Sequence, residues 1–219
     1  MTRFNVNTET LKYKKLIVEL GKKLYAKGLC DGTSGNISQR LDNGCLVTCT
    51  GTNLGNLGMD DIVFAPFEKT SNVRYYKRPT SEFFMHVALY QKRPDIKAIV
   101  HAHPPYSTAF GIARVSLNPP SMPEVMLQLG EIPIVEYAMP STEELAYKIA
   151  GEAANCNGLL MANHGSVTLG KNLEEAYYRM ETLESYAKVV FLAKQLGRVC
   201  HISDEEMAKL KAIRETLHK

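Results

Sequence analysis

His101 and His103 flank Ala102 at the end of the apolar run Ile96-Lys97-Ala98-Ile99-Val100 and lead straight into Pro104-Pro105. Side chains two apart on a strand share a face, so both imidazoles lean towards one point, about 6.6 Å apart along a backbone that rises about 3.3 Å per residue. Two such histidines followed by a turn are half of a metal site. His164 is the natural third ligand, because Asn163-His164-Gly165 interrupts an apolar strand pair, and the glycine permits a tight turn. Three protein ligands with one open position is the pattern of a catalytic zinc. A purely structural zinc closes with four ligands, often cysteines, and Cys30, Cys45, Cys49, Cys156 and Cys200 form no C-x-x-C pair. His86, His201 and His218 are read as structural or exposed.

Glu82 begins a predicted helix after Pro79-Thr80-Ser81. A helix start presents free backbone N–H groups and a positive dipole end, which suits an anion. Ser34-Gly35-Asn36 and Thr50-Gly51-Thr52 have the same flavour, each pairing a hydroxyl or amide with a glycine that lets backbone approach a ligand. Each alone is ordinary turn chemistry. Three together, beside a metal site, point to a phosphate cradle that uses no arginine.

These residues need elements to position them. Leu11, Leu16, Ile17, Leu20 and Leu24 recur at helical spacing from Thr8 to Lys27, with Gly28 as the stop. Ile37 to Leu41 and Cys45 to Thr50 form a predicted hairpin about Asp42-Asn43-Gly44, with Cys45 and Cys49 as small core residues. Further strands are expected at Asp61–Ala65, Val73–Tyr76, Ile132–Tyr137, Gly158–Ala162 and Ser166–Leu169. Helices are expected from Glu82 to about Gln91, over Pro105–Ala113, from Ser141 to about Ala153, over a long amphipathic stretch from Leu173 to Phe191, and after Ser203. Asn118–Pro123 reads as a loop. Hairpins beside helices predict an antiparallel or mixed sheet covered by helices. No repeat, low-complexity tract or linker divides the chain, which predicts one domain over residues 1–219.

The 219 residues, 45% hydrophobic and 22% charged, have the composition of a soluble globular protein. A net charge of +3 selects no partner, and Lys12, Lys14, Lys15, Lys22, Lys23 and Lys27 are spread around a helix as a solvated face, so neither nucleic acid nor membrane is expected. The odd cysteine count suits a reducing cytoplasm. Met1-Thr2-Arg3-Phe4-Asn5 has no apolar stretch behind it, which predicts no signal peptide.

Thr33-Ser34-Gly35-Asn36-Ile37-Ser38, Thr48-Cys49-Thr50-Gly51, Pro79-Thr80-Ser81-Glu82, Val100-His101-Ala102-His103 and Asn163-His164-Gly165 occur in order. Together they resemble the zinc-dependent class II sugar-phosphate aldolases of the L-fuculose-1-phosphate aldolase type. The resemblance implies an α/β fold, a three-layer α/β/α sandwich with a mostly antiparallel or mixed central sheet, assembled as a cytoplasmic homotetramer with active sites near subunit contacts. It implies one zinc per subunit on His101, His103 and His164, with Glu82 as a fourth ligand that becomes the base; manganese or cobalt also suit these ligands. Phosphate-binding positions fall on Gly35, Asn36, Thr50, Gly51, Thr80 and Ser81. The expected reaction is reversible cleavage of a ketose 1-phosphate, such as L-fuculose 1-phosphate, into dihydroxyacetone phosphate and an aldehyde such as lactaldehyde. The fuculose enzyme's proton donor to the aldehyde oxygen is a loop tyrosine, and the matching stretch Pro123-Glu124-Val125-Met126 offers Glu124 instead, with tyrosines elsewhere as alternatives.

Relatives of that type suggest rivals: dehydration of 5-methylthioribulose 1-phosphate, where a loop glutamate moves the proton, and C4 epimerisation of a pentulose 5-phosphate. A non-enzymatic scaffold resembling the adducin head is a third, though it has no need of three metal-binding histidines.

Overall fold

The computed structural model describes residues 8–68 and 76–217. Residues 73–75 of the expected strand at Val73–Tyr76, and His218, lie outside the described residues.

The chain runs α1 (Thr8–Ala26), β1 (Asn36–Leu41), β2 (Gly44–Thr48), β3 (Ile62–Pro66), α2 (Phe83–Lys92), β4 (Ala98–Ala102), α3 (Pro105–Ala113), α4 (Pro123–Gln128), β5 (Ile134–Val135), α5 (Glu143–Glu152), β6 (Gly158–Met161), β7 (Ser166–Gly170), α6 (Leu173–Leu196) and α7 (Asp204–Leu217). The strands form one seven-stranded sheet in the order β3-β2-β1-β4-β7-β6-β5. Only β5 and β6 pair in parallel; every other neighbouring pair is antiparallel. The β1–β2 hairpin closes through Leu41 opposite Gly44, leaving Asp42-Asn43 as its two-residue turn.

Strand alternation sorts the core into two faces. Ala98, Val100 and Ala102 of β4, with Ile37 and Leu46, pack under Ile17, Leu20 and Leu24 of α1 and Ala176, Tyr177 and Met180 of α6. Farther along the same face, Leu160 packs with Phe110 of α3, Val125 of α4 and Leu183 and Tyr186 of α6. Ile99, Val167, Leu169, Leu159 and Met161 turn the other way, onto Met85 and Leu89 of α2 and Leu145 and Ile149 of α5. The result is the α/β/α sandwich on a mostly antiparallel sheet that the sequence predicts. Two local expectations change. Pro123, expected to end the loop from Asn118, instead starts a helix over Pro123–Gln128: it stands at the first turn, where its missing N–H costs nothing, and Val125 and Met126 are buried. The strand expected over Ile132–Tyr137 shortens to Ile134–Val135, the two residues that find a partner in β6. No described helix is long and apolar enough to cross a membrane.

Candidate metal centre and its cavity

His101 follows Val100 on β4 and therefore points to the α2/α5 side of the sheet. His103 stands just past the strand end, its N–H bonded to the Leu29 carbonyl at 3.1 Å. His164 comes from the turn between β6 and β7. The three rings meet edge to face, with centroids 4.9, 5.0 and 5.2 Å apart, and one nitrogen from each lies within 4.8 Å of the others.

The turn carrying His164 uses its residues differently from the expectation. Asn163, not Gly165, takes the left-handed conformation, at φ 55°, and its side-chain oxygen accepts from Arg114 at 2.6 Å. Gly165 is needed for close approach: a Cβ there would lie 2.5 Å from His103 Cδ2 and 2.6 Å from the Ala102 carbonyl oxygen. On the other side of the site, Glu184 of α6 accepts from the Tyr106 and Ser107 backbone N–H groups, both at 2.8 Å, and so caps the helix that follows His103.

Glu82, immediately before α2, reaches under the imidazoles. Its Oε2 is 3.1 Å from His101 Nε2 and its Oε1 is 3.2 Å from His164 Nε2. His101 Nδ1 sits 2.9 Å from the Ser166 carbonyl oxygen. A carbonyl only accepts, so the proton of a neutral His101 is on Nδ1 and the Nε2 lone pair faces the carboxylate. Those two electron-rich atoms need a cation or a proton between them. Burial disfavours charge on His101, but the Glu82 carboxylate and the Ser166 bond outweigh it and raise its proton affinity. His103 and His164 are pushed down to about 4, by burial first and then by repulsion from a charged His101. Burial works against the Glu82 carboxylate too, yet His101, His164 and Asn36 together hold it well below the usual carboxylate range. Glu82 Oε1 and His164 Nδ1 remain buried without a hydrogen bond. Three neutral-capable imidazoles and one carboxylate, whose Oε1 is buried without a hydrogen bond, are a donor set that fits a divalent cation.

A cavity of about 220 Å³ opens beside these groups, lined by Gly35, Asn36, Thr50, Gly51, Thr80, Ser81, Glu82, His103 and His164 among others. The three turn segments singled out in the sequence thus meet at one place. Gly35 sits at φ 82°, and a Cβ there would come within 2.9 Å of the His101 carbonyl oxygen, so both its conformation and its contact demand glycine. Glu124 is not brought into this group. It is exposed on the first turn of α4 and does not line the cavity. A larger cavity of about 580 Å³, beside Gly130 and Arg214, holds none of the predicted site residues.

Two contributors escaped the sequence reading. Ser141 lines the cavity from a left-handed conformation at φ 66°; Ser141-Thr142-Glu143 reads as a helix cap, and Thr142 is the residue that caps. His86 is fully buried and bonded to Asn36 and Ser38. Its spacing of four from Glu82 was the available signal.

Residues 15–191 match the class II aldolase and adducin N-terminal domain. A 3-oxo-tetronate 4-phosphate decarboxylase of Haemophilus influenzae is 34% identical over 207 residues, covering 92% of this chain and 97% of the relative. An L-fuculose phosphate aldolase of Methanococcus maripaludis is 37% identical over 174 residues, covering 80% of this chain and 93% of the relative. Among solved structures, an L-fuculose 1-phosphate aldolase superposes with a TM-score of 0.85 at 32% identity, covering 93% of this chain and 96% of its own.

Proposed function

The chain belongs to the class II aldolase and adducin N-terminal domain family, and from that membership we propose a metal-dependent lyase that breaks a carbon–carbon bond beside the ketone of a small sugar phosphate. The observation that carries the reading is the carboxylate of Glu82 set against His101 and His164, two of three converging imidazoles, at the edge of a hydroxyl-lined cavity.

A divalent cation on His101, His103 and His164, with Glu82 as a further donor, would supply Lewis-acid stabilisation of negative charge developing on the ketone oxygen. Zinc suits these nitrogen and oxygen donors, with manganese or cobalt as alternatives. Gly35, Asn36, Thr50, Gly51, Thr80 and Ser81 bind the phosphate through hydroxyls and backbone, which places the reacting carbon against Glu82. Glu82 carries the proton at that carbon.

Within this chemistry we favour decarboxylation of 3-oxo-tetronate 4-phosphate, the activity in the name of the Haemophilus relative. Breaking the C1–C2 bond leaves its electron pair on C2 and releases carbon dioxide; one proton, taken up from solvent and passed by Glu82 to C2, completes dihydroxyacetone phosphate. Carbon dioxide leaves without a proton moving on any oxygen. Aldol cleavage, by contrast, needs a group to take the proton of the C4 hydroxyl. Glu82 is the one carboxylate among the described residues that line the cavity, which is all that decarboxylation asks. The second reading, L-fuculose 1-phosphate cleavage with Glu124 at the aldehyde oxygen, is favoured by the similarity to named fuculose-phosphate aldolases. A single-domain subunit, homotetrameric assembly and a cytoplasmic setting belong to both readings. Exposed apolar side chains on α3 and α6, Ile112 and Phe191, support the assembly.

The test is product identification with zinc-loaded protein offered both substrates. Carbon dioxide with dihydroxyacetone phosphate selects decarboxylation, and lactaldehyde with the same triose phosphate selects the aldolase. No turnover of either, together with no zinc uptake, would return the chain to a scaffold role.

A further inference from the structure

Glu82 is the outer end of a hydrogen-bonded row that runs into the protein interior. Asn36 Nδ2 donates to Glu82 Oε2 at 2.8 Å, and Asn36 Oδ1 lies 2.6 Å from His86 Nε2. His86 Nδ1 lies 2.7 Å from Ser38 Oγ, which is 2.8 Å from the Tyr90 hydroxyl. Two periodicities interlock to build it. Asn36 and Ser38, two apart on β1, share a sheet face; Glu82, His86 and Tyr90, four apart, share a helical face. Asn36 is 3% exposed, Tyr90 1%, and Ser38 and His86 0%, so solvent cannot stand in for a missing member.

The chemistry of each member fixes the next. A carboxylate only accepts, so the Asn36 amide must turn its nitrogen to Glu82 and its oxygen inward. That oxygen only accepts, so the His86 proton must sit on Nε2. The Nδ1 lone pair then takes the Ser38 proton, and the Ser38 oxygen takes that of Tyr90. Burial keeps His86 neutral, pushing it down to about 3, so it carries a single N–H to give. Without it, Asn36 Oδ1 would be a buried acceptor with no donor, and the Glu82 contact alone would hold the amide in place.

We propose that His86 is a positioning residue for Glu82: its Nε2–H locks the Asn36 amide with nitrogen outward, and that nitrogen holds the Glu82 oxygen that faces His101. The inference rests on the reading of Glu82 as proton carrier and metal donor, and it extends the machinery to a residue that touches neither substrate nor metal.

The amide side chains of glutamine and asparagine separate this role from simple packing. In His86→Gln an amide nitrogen reaches the place of Nε2 and can still donate to Asn36; in His86→Asn the amide reaches only the place of Nδ1, beside Ser38. Zinc affinity is measured against a competing chelator, and solvent exchange of the hydroxymethyl proton of dihydroxyacetone phosphate is followed by NMR in heavy water. We expect His86→Asn to lose roughly 10–100-fold in zinc affinity and a similar factor in the kcat of exchange with KM little changed, and His86→Gln to stay within a few-fold of wild type in both. The ring-nitrogen chemical shifts of the wild-type metal-free protein should show the Nε2–H tautomer, a readout that needs neither variant to fold nor substrate to turn over. An Nδ1–H tautomer overturns the proposal, as do two variants that behave alike in zinc affinity. Absence of exchange in wild type, with the Nε2–H tautomer and the affinity split both present, would instead sink the lyase reading and leave the positioning role standing.

Discussion

Gly165→Ala should destroy metal binding while leaving the fold in place. The added Cβ would lie 2.5 Å from His103 Cδ2, 2.6 Å from the Ala102 carbonyl oxygen and 3.2 Å from His101 Cε1. The carbonyl belongs to β4, which is hydrogen-bonded on both sides, so relief must come from the His164 turn or the His103 ring. Reaching ordinary contact at about 3.4 Å requires a movement of about 0.8–0.9 Å, whereas a metal site tolerates ligand displacements of about 0.2 Å. One ligand is therefore lost, and zinc affinity should drop at least about 100-fold. Overpacking at a single methyl costs about 1–3 kcal/mol, which most domains survive. Competition titration with a chelator gives the affinity, and far-UV circular dichroism with a urea melt of the metal-free protein gives the fold. A folded Gly165→Ala protein that binds zinc as tightly as wild type would refute the argument that this glycine exists to let the three imidazoles close together.

Glu82→Gln should weaken zinc binding at least as much as His86→Asn and, when loaded at saturating zinc, lose proton exchange on dihydroxyacetone phosphate by about 10²–10⁴-fold; unchanged exchange in the loaded protein removes Glu82 from the role of proton carrier. Chelator treatment should abolish turnover and zinc should restore it, with no protein–substrate adduct trapped by borohydride, since a lysine Schiff-base enzyme would show the reverse. Metal-free protein should weaken in acid through His86, whose proton affinity falls from the free value of about 6.5 to about 3. Between those limits the unfolded chain binds the extra proton, so this contribution is complete above pH 6.5 and shrinks by about 2 kcal/mol at pH 5. Urea midpoints of wild type and His86→Gln at pH 7 and pH 5 isolate it, and equal losses in the two proteins would show that His86 does not titrate this way. Glu124→Gln should leave carbon dioxide release within about twofold; a loss of tenfold or more would place Glu124 at the reacting oxygen after all.

The elements with strong periodicity were legible in the sequence. The leucines of α1, the long apolar stripe of α6 and the β1–β2 hairpin each encode their geometry locally, though Gly44, read as part of the turn, pairs with Leu41 instead, and the H-x-H pair encodes its shared face. The family resemblance read from five short motifs is borne out by the match over residues 15–191. What could not be read depends on contacts between distant residues. Ser38 and His86 are 48 positions apart and Asn36 and Glu82 46, so the buried row is invisible until the sheet and α2 are docked. Gly165 was assigned to the correct turn for the wrong reason, because its crowding comes from β4 rather than from its own backbone. Helix α4 was missed because Pro123 and the proline-rich residues before it read as a loop, whereas Pro123 starts a helix whose Val125 finds a core shared with α3 and α6.

Strand β4 has three strands on each side of it; its pairing with β7 runs along its whole length, Ala102 to Ser166 included, and its pairing with β1 runs from Ala98 to His101. Fraying begins at sheet margins, here the two-residue β5, and reaches a median strand only when the entire molecule comes apart. The backbone amide of His101 should accordingly be among the slowest to exchange with deuterium, close to the global unfolding limit. Loops such as Pro140-Ser141 are free of that restraint, so what enters can be retuned by mutation while the reactive core keeps its shape.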